Sequence, residues 1–155
     1  MFAGVVGELG GVETAWAGDS RRVAVEMTGA DVSVVNVVDT QTGETTDLQP
    51  VGEAAINYRV LSPAYRPSDG LLTVVCCHTG EIVEGEPPQS TTLVLHDPAT
   101  GAEQSRIKLP SPARDIDWDP TGSHLLLTDG DRVRRYRDGG FSDIPNIDKV
   151  FAVAW

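Results

Sequence analysis

The chain has 155 residues, of which 40% are hydrophobic, and this is enough apolar material to fill the core of one ordinary domain. Twelve basic against 23 acidic residues give a formal net charge of −11. Such a surface repels phosphate backbones, so we expect no nucleic-acid partner. Phe, Trp and Tyr occur only three times each, against 16 Gly and 10 Pro. This profile is typical of many short strands joined by turns and predicts an all-β protein.

No stretch of the sequence is apolar for long enough to cross a bilayer, so no membrane partner is expected. The first residues reach an acid, Glu8, before any apolar run of signal-peptide length, and no basic region precedes them. The two cysteines, Cys76 and Cys77, are adjacent and cannot join distant parts of the chain. Together these observations favour a cytoplasmic protein in a reducing compartment.

One pattern occurs three times along the chain: an aromatic residue, a tight polar turn and an apolar run. The aromatic residues are Trp16, Tyr65 and Trp118, and Trp155 stands where a fourth copy would begin. Their spacing brackets the roughly 40 to 50 residues of a β-propeller blade. A second marker, an apolar run ending in an Asp-x-x-Thr-Gly turn, follows in the first two copies at 39–43 and 97–101. The repeat therefore predicts four short strands in each copy.

The predicted strands follow the three copies in chain order. In the first copy they cover residues 12–16, 22–27, 32–39 and 44–49. In the second copy they cover residues 57–65, 71–77, 91–97 and 103–109. In the third copy they cover residues 113–118, 124–128, 132–137 and 140–144. Residues 2–6 and 150–155 are expected to add strands of a fourth, incomplete blade.

The markers resemble the WD-repeat-like blades of the TolB-like β-propeller family, and the third copy carries the resemblance most clearly. There Trp118 ends a strand, Asp119-Pro120-Thr121-Gly122 forms the turn and three leucines follow at 125–127. The resemblance covers nearly the whole chain, 1–155. It implies about three four-stranded antiparallel blades, namely 12–49, 57–109 and 113–144, with a shared or incomplete blade formed by 2–6 and 150–155.

Turn chemistry and packing explain these recurring residues without a ligand. An aromatic residue at the end of an inner strand can wedge between neighbouring sheets, and glycines such as Gly43 and Gly101 can supply the positive φ that hairpin turns need. We therefore expect the aromatic residues and turn glycines to have structural roles.

Histidines and aspartates are the candidate metal ligands, because imidazole and carboxylate groups suit several divalent ions. The candidates are His78, His96, His124, Asp97, Asp117 and Asp119. Their spacing matches no metal motif, so surface or hairpin roles are favoured. Asp129-Gly130-Asp131 begins like a calcium loop, but later ligand positions hold Val133 and Arg134, which favours a hairpin turn. No metal site is predicted.

The adjacent thiols and a basic strip are the other features that could carry chemistry. Alternation along a strand is expected to bury one of the two thiols in the core, and no second cysteine pair is present to support redox or metal chemistry. The strip 132–137 holds four arginines and is either a patch for an anionic partner or, as favoured, a solvated strand that offsets neighbouring aspartates. No nucleophile elbow, phosphate loop or dinucleotide fingerprint occurs. The sequence thus predicts no catalytic, cofactor-binding or metal-binding residues and no cofactor.

The resulting functional prediction is a non-catalytic protein–protein interaction module whose protein partner is unknown. Three blades are fewer than a propeller normally needs, so we expect a homodimer that completes the ring. Two alternatives stay open. The chain could be part of a propeller enzyme, a hydrolase or lyase, whose catalytic residues lie outside it. It could also be a small-ligand sensor in which the loop 78–90 covers the channel mouth.

Overall fold

The computed structural model describes residues 13–28, 33–48, 59–78, 92–147, 149–150 and 152–155. These residues contain β-strands and no helix, which confirms the all-β expectation. Accordingly, the described part of the chain has no helix of the length and hydropathy needed to cross a membrane.

The strands form three successive four-stranded antiparallel units, which we call blades 1, 2 and 3. Blade 1 contains β1 (Thr14–Trp16), β2 (Arg22–Thr28), β3 (Ser33–Asp39) and β4 (Thr45–Asp47). Blade 2 contains β5 (Arg59–Tyr65), β6 (Leu72–His78), β7 (Thr92–His96) and β8 (Glu103–Lys108). Blade 3 contains β9 (Asp115–Trp118), β10 (Leu125–Thr128), β11 (Val133–Arg137) and β12 (Gly140–Asp143). Each strand pairs with the next in its blade, which is the arrangement of a β-propeller.

The sequence predicts two strands of a fourth blade, and the structure describes only one of these two segments in part. Residues 2–6 lie outside the described residues. The strand expected over 150–155 is a wrong prediction for the described residues there, because 150 and 152–155 carry no strand. The physical reason is that the backbone N–H groups of Val153 and Trp155 donate to the side-chain carboxylates of Asp115 and Asp117, not to backbone carbonyls of β9. The limits 12–49, 57–109 and 113–144 of the blades stay predictions.

The cross-strand register gives every blade two faces, because residues opposite each other in a sheet point the same way. We call the face toward the preceding blade the leading face and the face toward the following blade the trailing face. In blade 2 the leading face carries Tyr65 and Leu72, which pair across β5 and β6, and the trailing face carries Ala64 and Thr73. Alternation along each strand therefore divides its side chains between two different interfaces.

Two hydrophobic cores fill these interfaces. The first joins the trailing face of blade 1 to the leading face of blade 2 through Ala24, Val35, Val37, Tyr65, Leu72, Val74, Cys76 and Val94. The second joins the trailing face of blade 2 to blade 3 through Ala64, Val75, Leu93, Leu109, Ala113, Ile116, Trp118, Leu125 and Leu127. Burying apolar side chains in this way stabilises each blade only against its neighbour.

The aromatic residues that end β5 and β9 wedge between neighbouring blades. Trp118 is 6% exposed, and its indole Nε1 donates to Thr73 Oγ1 of blade 2 at 2.9 Å. The guanidinium of Arg66 lies over the same ring, 5.4 Å from its centre. Tyr65 occupies the matching position of blade 2 and packs in the core with Ala24. The predicted structural role is confirmed for these two aromatic residues.

The Asp-x-x-Thr-Gly turns close the outer hairpins of blades 1 and 2. Asp39 Oδ1 accepts from the backbone N–H groups of Gln41 and Thr42 at 2.9 and 3.1 Å. The Gly43 N–H then donates to the Asp39 carbonyl at 2.8 Å, and Gly43 has φ 75°. Gly101 repeats this conformation in blade 2 with φ 73°. Glycine adopts this left-handed conformation at less cost than other residues, so the two turns favour it.

Alanine at these two glycines is a matched pair of substitutions. Gly43→Ala meets no atom within 4 Å, so it should lower the free energy of unfolding by about 1 kcal/mol through backbone strain alone. The Cβ of Gly101→Ala would lie 2.3 Å from the Asp47 carbonyl oxygen. We expect this clash between blades 1 and 2 to add about 1 to 3 kcal/mol. Urea unfolding measures both values, and equal losses would contradict this account of the contact between blades.

Truncating the wedge at the second interface tests its contribution. Trp118→Ala should lower the free energy of unfolding by about 3 to 5 kcal/mol, because a large aromatic side chain leaves a cavity between blades 2 and 3. Trp118→Phe keeps a ring but removes the hydrogen bond to Thr73, so its loss should be clearly smaller. Chemical denaturation compares the variants. A loss below about 1 kcal/mol for Trp118→Ala would mean that the wedge does not hold the blades together.

Candidate functional site

The inner strands of the three blades line an open central hollow of about 410 Å³. Its wall includes Glu13, Ala15 and Trp16 of blade 1, and Asp115 and Asp117 at the start of blade 3. In a propeller this is the position of the central channel, where ligands commonly bind. The three carboxylates make this part of the wall acidic.

Three carboxylates that sequence reasoning missed meet beside this hollow. Glu26 is 5% exposed on the trailing face of blade 1, and its Oε2 accepts from the Ser62 N–H at 3.0 Å. Burial chiefly raises the pKa of Glu13, and the charges of Asp115 and Glu26 raise it further. Burial also raises the pKa of Asp115. A signal was present in the sequence, because Glu26 occupies an inward-facing position of an apolar strand.

Ser62 reaches this cluster because β5 is irregular. The register between β5 and β6 shifts between Leu61 and Ala64, and Ser62 adopts φ 49°. Its hydroxyl donates to the Arg114 carbonyl at 2.6 Å. Through Ser62 the irregular part of β5 is thus bonded to Glu26 on β2 of blade 1 and to Arg114, the residue before β9 of blade 3.

A second hollow, a groove of about 700 Å³, lies at the turns that follow the inner strands of blades 1 and 2. Trp16, Arg22, Tyr65 and Arg66 contribute to its wall. The Tyr65 hydroxyl is buried and has no hydrogen-bond partner among the described residues. Burial raises the pKa of Tyr65 to about 12. The strand register explains why the Tyr65 hydroxyl lacks a partner. Ala24 takes the position in blade 1 that Thr73 takes in blade 2, and alanine has no hydroxyl group.

The candidate metal ligands are dispersed. His96 is buried, its Nδ1 lies 3.0 Å from the Gly101 carbonyl, and burial lowers its pKa. His124 Nδ1 lies 3.4 Å from Asp119 Oδ2. The side chain of His78 lies outside the described ones. Over the described ranges, no three His, Cys, Asp or Glu side chains converge on a possible metal position.

The candidate aspartates have hairpin and packing contacts. Asp97 Oδ1 accepts from the Ala99 N–H at 2.8 Å, and Asp117 binds Trp155. Asp119 Oδ1 accepts from the backbone of His124 at 2.9 Å, and Thr121 donates to its Oδ2. Burial acts to raise the pKa of Asp119, but the hydrogen bonds from Thr121 and His124 outweigh it and hold the pKa well below its ordinary value.

The remaining sequence candidates have structural surroundings. Cys76 is fully buried in the first core and is disulfide-bonded, so it is not the buried free thiol that strand alternation predicts. The side chain of Cys77 is not among the described side chains. Asp129 Oδ1 accepts from the N–H groups of Asp131 and Arg132, which is the predicted hairpin turn. The two hydrogen bonds to Asp129 give this turn a structural role.

The basic strip divides between two faces, as alternation predicts. Arg134 is largely buried and binds Asp129, Asp143 and Ser111. Arg135 and Arg137 are exposed on the opposite side of β11. The strip is therefore no continuous basic patch, because one of its arginines is bound within the fold.

Comparison with known proteins gives the fold and no closer relationship. No family model matches the chain, and no curated protein matches it. Solved structures do match. One belongs to the mitotic checkpoint complex, with 20% identity, a TM-score of 0.61 and 96% of this chain covered. The Cps50 (Swd1) β-propeller domain of Myceliophteria thermophila has 13% identity, a TM-score of 0.54 and 86% of this chain covered.

A third similar structure is the hydrazine synthase of Kuenenia stuttgartiensis, with 16% identity, a TM-score of 0.61 and 98% of this chain covered. The chain spans 43%, 37% and 41% of the length of these three proteins, in the order given. The similarities confirm the β-propeller fold.

The carboxylates beside the central hollow give a pH prediction. Because the pKa values of Glu13 and Asp115 are raised, the folded chain binds more protons than the unfolded chain just above their ordinary values of 4.5 and 3.8. Their contribution to the free energy of unfolding is therefore present at lower pH and lost as the pH rises through the folded pKa values. The double variant Glu13→Gln, Asp115→Asn should remove this loss.

Urea unfolding between about pH 4 and 7 checks this prediction. The gain in stability of the double variant over the wild type should grow as the pH rises. Glu44→Gln, at an exposed turn position, is the control and should show no such growth. If the free energies of unfolding of the double variant and the wild type differed by the same amount at every pH, burial would not raise the pKa values of the two carboxylates.

Proposed function

We propose that this protein is a non-catalytic protein–protein interaction module of the propeller type. The observation that carries the proposal is the leading face of blade 1, which exposes two large apolar side chains. Trp16 is 60% exposed and Met27 is 43% exposed. Trp118 occupies the same position of its blade as Trp16 and is 6% exposed. The difference favours a partner that covers blade 1.

The register extends this apolar surface across three strands. Its apolar members are Trp16, Val23, Val25, Met27, Val34 and Val38. Neither of the two cores formed by described residues includes any of them. Contiguous exposed apolar patches of this kind mark interaction sites in soluble proteins. A rigid frame with several turns at one edge supports the same function.

Finer proposals concern type, location and assembly. We assign the module to the TolB-like type, on the turn and aromatic markers, and to the cytoplasm, because its two adjacent cysteines cannot join distant parts of the chain. We also propose a homodimer in which two copies join head to tail about a two-fold axis and complete a ring of about six to eight blades. The open leading face of blade 1 supports this assembly.

Affinity purification tests the interaction function. The tagged chain, used as bait in a lysate of its source organism, should recover a reproducible set of proteins. Met27→Asp should lose this set, because the substitution places a charge in the apolar face. Ile147→Asp is the matched control, since Ile147 is 38% exposed and lies beyond β12. Failure to recover any reproducible protein, or equal recovery by both variants, would count against the proposal.

A further inference from the structure

We propose that the leading face of blade 1 docks on the trailing face of blade 3 of a second copy, with Trp16 entering the position that Trp155 now occupies. This inference rests on the proposed interaction function and names its surfaces. It comes from comparing the two interfaces inside the chain with the two blade faces that no described blade covers.

The interfaces inside the chain follow one pattern. An aromatic residue from the leading face packs on the second strand of the preceding blade. Trp118 does so on Thr73, to which it also donates a hydrogen bond of 2.9 Å, and Tyr65 packs in the core with Ala24. Thr73 and Ala24 hold the same register position in their blades. The pattern therefore predicts that Trp16 should pack on the residue at this register position in the second strand of another blade.

Blade 1 offers the same leading face as blades 2 and 3. Trp16 pairs across with Val23, as Tyr65 pairs with Leu72 and Trp118 with Leu125. The corresponding side chains of blades 2 and 3 are buried between blades, whereas those of blade 1 are half-buried or exposed. A surface with this register fits the trailing face of another blade.

Blade 3 has a matching trailing face. Leu126 holds the register position of Thr73 and Ala24, and Thr128 and Val133 lie on the same face. Thr128 and Val133 are already buried, and the Thr128 hydroxyl donates to the Val150 carbonyl at 2.7 Å, so docking has to displace Val150 and residues 152–155 as well as the Trp155 ring. Arg135 stands at its outer side, is exposed and makes no ion pair with the described residues.

Charge complementarity adds to the match of shape. Asp47 is exposed on β4, on the leading side of blade 1, and its register partner Asn36 lies beside the apolar residues of that face. Stacking blade 1 on blade 3 in the manner of the internal interfaces brings Asp47 to the same outer side as Arg135. An arginine and an aspartate at the rim of an interface favour one orientation of the two surfaces.

Residues 152–155 now lie along the inner edge of blade 3. The Trp155 backbone N–H donates to Asp117 Oδ2 at 2.9 Å, and its indole Nε1 donates to the Asp117 carbonyl at 3.1 Å. The Trp155 ring lies 6.2 Å from that of His124 and remains 53% exposed. Trp155 therefore fills this position less completely than Trp118 fills its own. An incoming Trp16 would have to displace it.

The length of the chain favours a second copy as the partner that covers the leading face of blade 1. The chain matches between 37% and 43% of the length of the similar solved structures, so two copies approach the size of one such protein. Three blades from each copy give a ring within the usual range of about four to eight blades. A two-fold axis then places blade 1 of each copy on blade 3 of the other.

The test is sedimentation equilibrium on the full chain, with light scattering after size exclusion as a second measure of mass. The wild type should dimerise reversibly. Trp16→Ala should weaken the dimer about thirtyfold or more, as expected for a central aromatic contact. Trp155→Ala should instead tighten it by about threefold or more, because it removes the competing occupant. Opposite signs for two exposed tryptophans are not explained by general hydrophobicity.

A charge exchange tests the orientation. Asp47→Arg and Arg135→Asp should each weaken the dimer, and the double variant should restore it. Glu44→Arg, in the exposed turn before β4, makes the same charge change as Asp47→Arg and should leave the dimer unchanged. Because tightening and restoration are gains, a variant that fails to fold cannot imitate them.

The possible results separate this inference from the proposed function. A dimer that ignores both tryptophan variants and the charge exchange would overturn the docking surfaces alone. A chain that stays monomeric with or without Trp155, yet recovers a reproducible protein partner, would also overturn them and leave the interaction function standing. A chain that neither dimerises nor recovers a partner would count against both.

Discussion

The structure depends on the burial of both faces of each short sheet. A four-stranded sheet of this size has no core of its own, so each blade gains stability only by packing against a neighbour. The aromatic residues at the ends of the inner strands make this contact specific. Trp118 reaches Thr73 of the preceding blade with its indole N–H, and that single geometry fixes the register in which blades 2 and 3 meet.

Much of this arrangement could be predicted from the sequence because it depends on local patterns of residues. Alternating apolar residues, the Asp-x-x-Thr-Gly turns and the spacing of the aromatic residues each depend on a few neighbouring positions. The segment 150–155 shows where such reasoning fails. Its apolar pattern fits a strand, yet the carboxylates of Asp115 and Asp117 accept the N–H groups of Val153 and Trp155. Competition from side-chain acceptors cannot be read from hydrophobic alternation.

The sequence marks Glu26 as unusual, but the meeting of the carboxylates beside the central hollow could not be predicted. Glu13, Glu26 and Asp115 are far apart in the sequence, and they meet through the irregular backbone at Ser62. A register shift of this kind leaves only a weak trace in the sequence, in this chain a serine followed by a proline inside a strand. The hollow is thus acidic because the packing of three blades brings these carboxylates together.

The contact at Gly101 has a consequence for the curvature of the propeller. A side chain there would overlap the main chain at Asp47, and one at Gly122 would overlap the main chain at Ser68. Successive blades therefore approach each other backbone to backbone near one rim, where no side chain separates them. The angle between blades is set there by main-chain geometry. Repacking the cores can change how strongly the blades adhere, while the rotation from one blade to the next is retained.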